Sequence, residues 1–224
     1  MIPINYKKYP FIAKIRHHVS ANNYLPITDL NIMPDNYPIP VKELDWSNVF
    51  ENAKPANVLD IGCGKGVFLI SYALEHPESN VLGIEIRTEA VEWINLVVDG
   101  EKIPNCRGLH YTMANALPFI ESNSIDSIFY LFPDPWPKRR HFRRRAFGQS
   151  FLEECFRVLK PSAKLYLATD VDYVHDYQKK ELAKFGKFAV TELSDRSEWN
   201  FPNTNKENFC VRKNIPVFRL ICSK

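Results

Sequence analysis

From residue 56 onward, short apolar runs alternate with segments whose apolar residues recur at helical spacing. Residues 56–61 predict a first strand; Val67, Phe68, Ile70 and Leu74 then share one face of a helix that His76-Pro77-Glu78 ends. Residues 81–86 and 89–98 repeat the strand-helix pair, closing near Gly100. Residues 109–113 predict a weaker third strand, 124–132 a fourth and 164–170 a fifth. Between the last two, Phe147, Phe151, Leu152, Cys155, Phe156 and Leu159 predict a helix over 145–159, stopped by Lys160-Pro161, and another follows over 174–185. Such alternation predicts parallel βαβ units, hence an α/β doubly wound sheet with helices on both faces. The last apolar runs, 188–193 and 216–222, read as an edge pair joined by a long polar loop, 194–214, of a length that is usually functional or disordered. Residues 1–50 show little periodicity and read as an irregular arm, with a short helix over 42–50, preceding a domain over 51–224.

Composition narrows the class. A chain of 224 residues with 45% hydrophobic content can bury one full core. The net charge of +3 is mild, so the distribution of charge carries more information than its sum. Five cysteines, at 63, 106, 155, 210 and 222, form no Cys-x-x-Cys pair, so neither a disulfide framework nor a zinc site is expected. His17 and His18 are adjacent and diverge on any regular element, which argues against a shared metal. With no signal-like run at the start and no membrane-length apolar stretch, the expectation is a reducing, cytoplasmic setting without membrane contact.

The densest chemistry follows the fourth strand. Prolines at 133, 135 and 137 enclose Asp134 and Trp136, and their fixed φ and missing donors predict a stiff loop at a strand end. Lys138, Arg139, Arg140, Arg143, Arg144 and Arg145 follow with no intervening acid. An average charge run is a solvated helix start, but one opening beside a rigid acid at a sheet rim points to nucleic-acid phosphates.

Ligands of open α/β sheets bind beyond the carboxyl ends of the strands, where this chain places Gly62, Gly64, Gly66, Glu85, Asn115, Asp134 and Asp170. A glycine loop allows close backbone approach, and Glu85 is positioned to accept from a ribose diol, a combination shared by several nucleotide cofactors. The dinucleotide fingerprint fails because Val67 stands where its third glycine is required, and the phosphate-loop pattern fails because Gly66 follows Lys65. Asp60-Ile-Gly-Cys-Gly-Lys-Gly with Glu85 instead resembles the first two motifs of class I S-adenosylmethionine-dependent methyltransferases.

With Phe132-Pro-Asp-Pro-Trp-Pro-Lys-Arg-Arg-His, Ala168-Thr-Asp170 and Thr204-Asn-Lys-Glu207 added, the chain resembles the bacterial tRNA (guanine-N7)-methyltransferase family over about residues 56–222, and Arg16-His-His-Val echoes a basic segment before the domain in relatives. The resemblance implies a Rossmann-like, mostly parallel seven-stranded sheet with an antiparallel C-terminal edge pair, S-adenosyl-L-methionine as methyl donor, and a tRNA variable-loop guanosine as acceptor. It implies Asp60, Gly62, Gly64, Gly66, Glu85, Asn115 and Asp134 at the donor, with Asp134 the catalytic centre. It further implies Lys138, Asp170, Thr204, Asn205, Lys206 and Glu207 at the substrate, with the arginines on the tRNA backbone. Three positions depart from the family: Asp60 where Glu is common, Asn115 where many carry Asp, and Asn214 at a frequent glycine. No metal or obligatory protein partner is expected, and monomer and homodimer both remain open. Whether Asp134 acts as a base or only orients guanine also remains open; N7 has a free lone pair, which favours orientation. The competing readings are a methyltransferase of another RNA or a small molecule, which leaves the basic run unexplained, and a non-catalytic RNA-binding relative.

Overall fold

A computed structural model describes residues 4–10 and 19–224, the side chains of Arg139, Arg140 and His141 excepted. Arg16 and the His17-His18 pair lie outside the described residues. The regular elements are β1 (Val58–Ile61), α1 (Val67–Glu75), β2 (Val81–Glu85), α2 (Thr88–Gly100), β3 (Cys106–His110), β4 (Ile125–Leu131), α3 (Gln149–Val158), β5 (Leu159–Thr169), α4 (Asp172–Phe185), β6 (Ala189–Leu193), α5 (Asn205–Lys213) and β7 (Phe218–Ser223).

One seven-stranded sheet runs in the order β3-β2-β1-β4-β5-β7-β6. All neighbours are parallel except β7, which is antiparallel to both β5 and β6. β1 and β2 are buried at every position, as strands covered on both faces must be. β4 divides its side chains between two cores: Ile128 and Tyr130 pack with Phe151 and Leu152 of α3, whereas Phe129 packs with Phe68 of α1 and Ile94 of α2. The winding reverses between β1 and β4, so the loops leaving those two strands diverge and open a crevice at their carboxyl ends.

Five elements differ from the periodicity, β5 among them: it begins at Leu159 rather than 164, where Leu159 pairs with Ile125 ahead of a register shift in the ladder. β3 begins at Cys106, three residues before the predicted start, because its register with β2 pairs Val81 with Cys106 through Glu85 with His110 and carries Arg107 and Gly108 into the ladder. α3 begins at Gln149 rather than 145, and Arg139–Arg144 instead forms a 3₁₀ helix. The predicted helix over 42–50 reduces to one 3₁₀ turn, Trp46–Asn48, with the Asp45 side chain accepting from Ser47 N–H. The polar loop contains α5, of which only Glu207 and Cys210 are buried, too little apolar surface to give a periodic signal. Asn214 ends α5 at φ 55°, ψ 39°, a left-handed cap that favours glycine and accepts asparagine next, which explains that departure from the family pattern.

The arm is pinned twice. Tyr6 stacks on Trp93 of α2 at 5.7 Å, Trp93 Nε1 donates to the Tyr9 carbonyl at 2.8 Å, and the Tyr9 hydroxyl donates to Glu101 at 2.7 Å. Further on come 3₁₀ turns at Ala21–Tyr24, which packs on Arg139–Arg144, and at Ile27–Asp29, whose Ile27 N–H donates to Asn115 at 2.9 Å.

Glu154 joins α3 to the segment before β4. It accepts from Leu117 N–H at 2.6 Å and from Arg157 at 2.8 and 2.9 Å, while Arg157 donates to the carbonyls of Leu117 and Ile120. Burial opposes its ionisation, but the Arg157 and Leu117 hydrogen bonds outweigh that and hold the carboxyl below its ordinary value. Glu154→Ala is expected to destabilise the fold by about 2–3 kcal/mol in denaturant titrations at neutral pH. Because the folded value is depressed, this stabilisation is complete above the unfolded value of 4.5 and declines as pH falls through the folded one, so wild type and variant should converge in acid.

Candidate active site

A cavity of about 570 Å³ fills the crevice at the carboxyl ends of β1, β2 and β4. Its floor is the loop after β1, where Gly62, Gly64 and Gly66 all take left-handed φ angles of 72°, 60° and 65°. At Gly66 the reason is steric as well: a Cβ there would stand 2.6 Å from Ile94 Cγ1 of α2. Gly66 thus permits the close packing of loop on helix, although it falls one position earlier than in the dinucleotide fingerprint. Gly62 and Gly64 face the cavity, whereas Gly66 supports them from behind.

Glu85, at the end of β2, is buried and organises this floor. Its carboxylate accepts from the backbone N–H groups of Gly64 (2.9 Å), Ile86 (2.9 Å) and Arg87 (3.0 Å). Arg87 adds Nε at 2.9 Å and a terminal nitrogen at 3.0 Å. Arg87 also lines the cavity, and no local sequence signal marks it. Asp60, at 3% exposure, lies beside Glu85, and its Oδ2 is buried without a protein partner. Burial, and then the Glu85 charge, push the Asp60 carboxyl up to about 8. An orphaned, proton-retaining acid beside a glycine loop is a site for a cationic or hydrogen-bond-donating ligand.

The wall opposite is the proline loop. Phe132 N–H donates to the Ala168 carbonyl at 2.7 Å, continuing the β4–β5 ladder, after which Phe132 and Trp136 adopt φ angles of 52° and 39°. Left-handed backbone at two aromatic residues is strained and is held by neighbours. Arg145 supplies that hold: it donates to the carbonyls of Trp136 (3.0 Å) and Pro135 (3.4 Å), with its guanidinium 4.0 Å over Phe142 and 4.7 Å over Tyr177. Arg144 lies 4.6 Å over the Trp136 ring, whose own exposure is 7%. Trp136 and Tyr130 are therefore buried in the wall rather than presented as open stacking surfaces. Asp134, Lys138 and Arg143 are exposed, and Asp134 lines the cavity.

The remaining wall comes from the polar loop and the arm. Thr204, Asn205 and Lys206 line the cavity, and Thr204 Oγ1 caps α5 by accepting from Glu207 N–H at 2.9 Å. Lys206 pairs with Asp170 at 2.8 Å. Glu207 is buried between Arg196 (2.9 Å) and Arg219 (2.5 Å). Thr-x-x-Glu therefore acts here as a helix cap whose acid anchors the segment from behind. Asn115 does not line the cavity; its Oδ1 accepts from Ile27 N–H at 2.9 Å, and its amide bonds the Tyr37 hydroxyl at 2.9 Å, tying the arm to the sheet. Tyr24, from the irregular arm, is a cavity residue that periodicity could not reveal. Among the described residues, no group of three or more His, Cys, Asp or Glu side chains could hold a metal, and no helix is long and apolar enough to cross a membrane.

A profile of the family described as "Putative methyltransferase" matches residues 54–220. The chain is 36% identical over 159 residues to a tRNA (guanine-N(7)-)-methyltransferase of Lactobacillus johnsonii, covering 70% of this chain and 73% of that protein. It is 29% identical to a protein of the same name from Thermosynechococcus vestitus, with 93% of each covered. In fold it is similar to the crystal structure of the 16S rRNA methyltransferase KamB, with a TM-score of 0.54 at 16% identity over 79% of this chain and 89% of that one.

The Asp60 carboxyl is expected to titrate near pH 8 in carbon-detected NMR of the free protein, and Glu85→Gln, which removes the neighbouring charge, should lower its midpoint. Titration of Asp60 in the ordinary carboxylate range in wild type would show that its orphaned oxygen is solvated.

Proposed function

The chain belongs to the tRNA (guanine-N(7)-)-methyltransferase family, and from that premise we propose that it transfers a methyl group from S-adenosylmethionine to N7 of a guanosine in the variable loop of tRNA. The observation that carries this reading is a cavity in which the glycine loop, Asp60 and Glu85 meet Asp134 across the reversal of the sheet, with Lys65, Arg87 and Lys206 also in its lining.

The residues present fit the donor. Gly62 and Gly64 admit close backbone approach, and the unpartnered Asp60 Oδ2 suits a cationic amino-acid moiety. Glu85 would accept from the ribose hydroxyls once Arg87 yields a hydrogen bond, because five N–H contacts already occupy the carboxylate. When bound, S-adenosylmethionine supplies an electrophilic methyl group on a sulfonium centre.

The protein's contribution is orientation and electrostatics. Guanine N7 carries a lone pair, so no proton leaves it before transfer and no strong base is required. Asp134 accepts from guanine N1–H and the 2-amino group, turning N7 toward the donor and compensating the positive charge that forms on the ring. Thr204, Asn205 and Lys206 wall the base, held from behind by Asp170 and by Glu207 with its two arginines. Lys138, Arg139, Arg140 and Arg143 contact tRNA phosphates; Arg144 and Arg145 are engaged with the proline loop and act by holding Asp134 in place.

Unmodified tRNA incubated with labelled methyl donor should yield 7-methylguanosine on nucleoside analysis; its absence, with donor shown to bind, would sink this reading. Asp134→Asn is expected to lower kcat by about 10²-fold without abolishing donor binding. A pH–rate profile governed by one deprotonation that disappears in the variant would instead assign Asp134 as a base. Arg143→Ala should reduce the slope of log K against log salt by about 0.7–0.9 and leave kcat at saturating tRNA intact. Arg145→Ala should lower kcat, because its guanidinium supports the loop that carries Asp134.

A further inference from the structure

Asp134 can only accept hydrogen bonds, so the clamp above reads guanine N1–H and its 2-amino group and leaves O6 unread. O6 lies between N1 and N7, and a base bound with N7 toward the donor needs a hydrogen-bond donor beside Asp134 to satisfy it. The arm places one there. Tyr24 ends the 3₁₀ turn Ala21–Tyr24, lines the cavity half-buried, and sets its ring against Trp136 at 5.9 Å and 76°. The turn is held by bonds independent of the cavity: Asn23 Nδ2 to the Asn36 carbonyl (2.8 Å), the Tyr37 hydroxyl to the Leu25 carbonyl (2.8 Å), and Ile27 N–H to Asn115 (2.9 Å). Burial, then the charges of Asp134 and Glu85, push the Tyr24 hydroxyl up to about 12, so it keeps its proton and remains a donor at any working pH.

We propose that Tyr24 is a specificity-determining residue that donates its hydroxyl hydrogen bond to guanine O6, so that arm and proline loop read one base from adjacent edges. Adenine would present an amino group to this hydroxyl and lack the N1–H that Asp134 needs. Asn115 then serves the reaction by fixing the arm rather than by touching the donor. This rests on the tRNA guanine-N7 reading.

The test is a double-mutant cycle using tRNA with guanosine, 6-thioguanosine or inosine at the target position, scored as N7-methylated nucleoside. 6-Thioguanosine keeps N1–H, the 2-amino group and N7 but weakens the acceptor at position 6; inosine keeps O6 and lacks the 2-amino group. Tyr24→Phe preserves the ring edge on Trp136, and calorimetry should show donor affinity unchanged. It is expected to lower kcat/KM on guanosine about tenfold, with little further loss on 6-thioguanosine, whereas its penalty should persist on inosine. Losses on guanosine and 6-thioguanosine that simply multiply would overturn the assignment. So would coupling to position 6 in Gln178→Met or Arg144→Lys but not in Tyr24→Phe, since both residues also line the cavity. Should Tyr24→Phe lose donor binding, a wild-type guanosine-to-thioguanosine ratio near one overturns the contact, and a ratio of about ten that Gln178→Met and Arg144→Lys both retain supports it. Wild type that forms no 7-methylguanosine on ordinary tRNA removes the premise itself, an outcome distinct from methylation with uncoupled losses.

Discussion

β1 pairs in parallel with both β2 and β4, and the site depends on that double pairing. The β1 and β2 exits lie side by side, which brings Asp60, the glycine loop and Glu85 into one floor. The β4 exit turns the other way and carries Asp134 to the facing wall. Neither half forms a cavity alone, and the separation between them follows from backbone geometry at the reversal of winding. Two buried acids, Asp60 and Glu85, are thereby brought together at strand ends that burial alone would reserve for apolar side chains. Glu85 is satisfied by backbone N–H groups and Arg87, while Asp60 keeps an oxygen unsatisfied, so the unmet cost of burying a polar group falls on a residue that lines the cavity.

The stiffness of the proline loop has a second source beyond its prolines. Three fixed φ angles restrict the chain, yet Phe132 and Trp136 must still enter the left-handed region, and prolines at 133, 135 and 137 do nothing to stabilise that. The compensation comes from burying Trp136 under Arg144 and from Arg145, whose guanidinium serves two carbonyls of the loop while packed on two aromatic rings. A basic run that reads as a uniform positive patch thus has two functions. Its last arginines build the loop, while Lys138 and Arg143, among the described side chains of the run, are exposed.

The α/β architecture was legible because each strand-helix unit buries one continuous apolar face, and the glycine loop with Glu85 was legible because its backbone conformation demands glycine. Less visible were features that rest on polar contacts across long sequence separations. α5 exposes most of its surface and is specified by the Thr204 cap and the left-handed Asn214, not by periodicity. Asn115 reads as a cofactor residue from its place after β3, but its amide is taken by Ile27 and Tyr37, 88 and 78 residues away. Tyr24 lies in a stretch with no pattern at all and reaches the cavity only because that anchoring exists.

Glu207 shows how a motif can belong to fold and site together. A carboxylate at 2% exposure between two guanidiniums is a poor source of net stability, since desolvating the charges offsets most of their attraction. What such a cluster supplies is a unique position. Arg196 belongs to the loop before α5 and Arg219 to β7, so Glu207 locks the start of α5 to both, and Thr204 closes the same turn from the other side. The segment between them then has one place to lie, with Asn205 and Lys206 on the cavity rim and Lys206 drawn to Asp170 at the end of β5. Because Glu207 is enclosed, its influence on the cavity runs through the residues it positions, Thr204, Asn205 and Lys206.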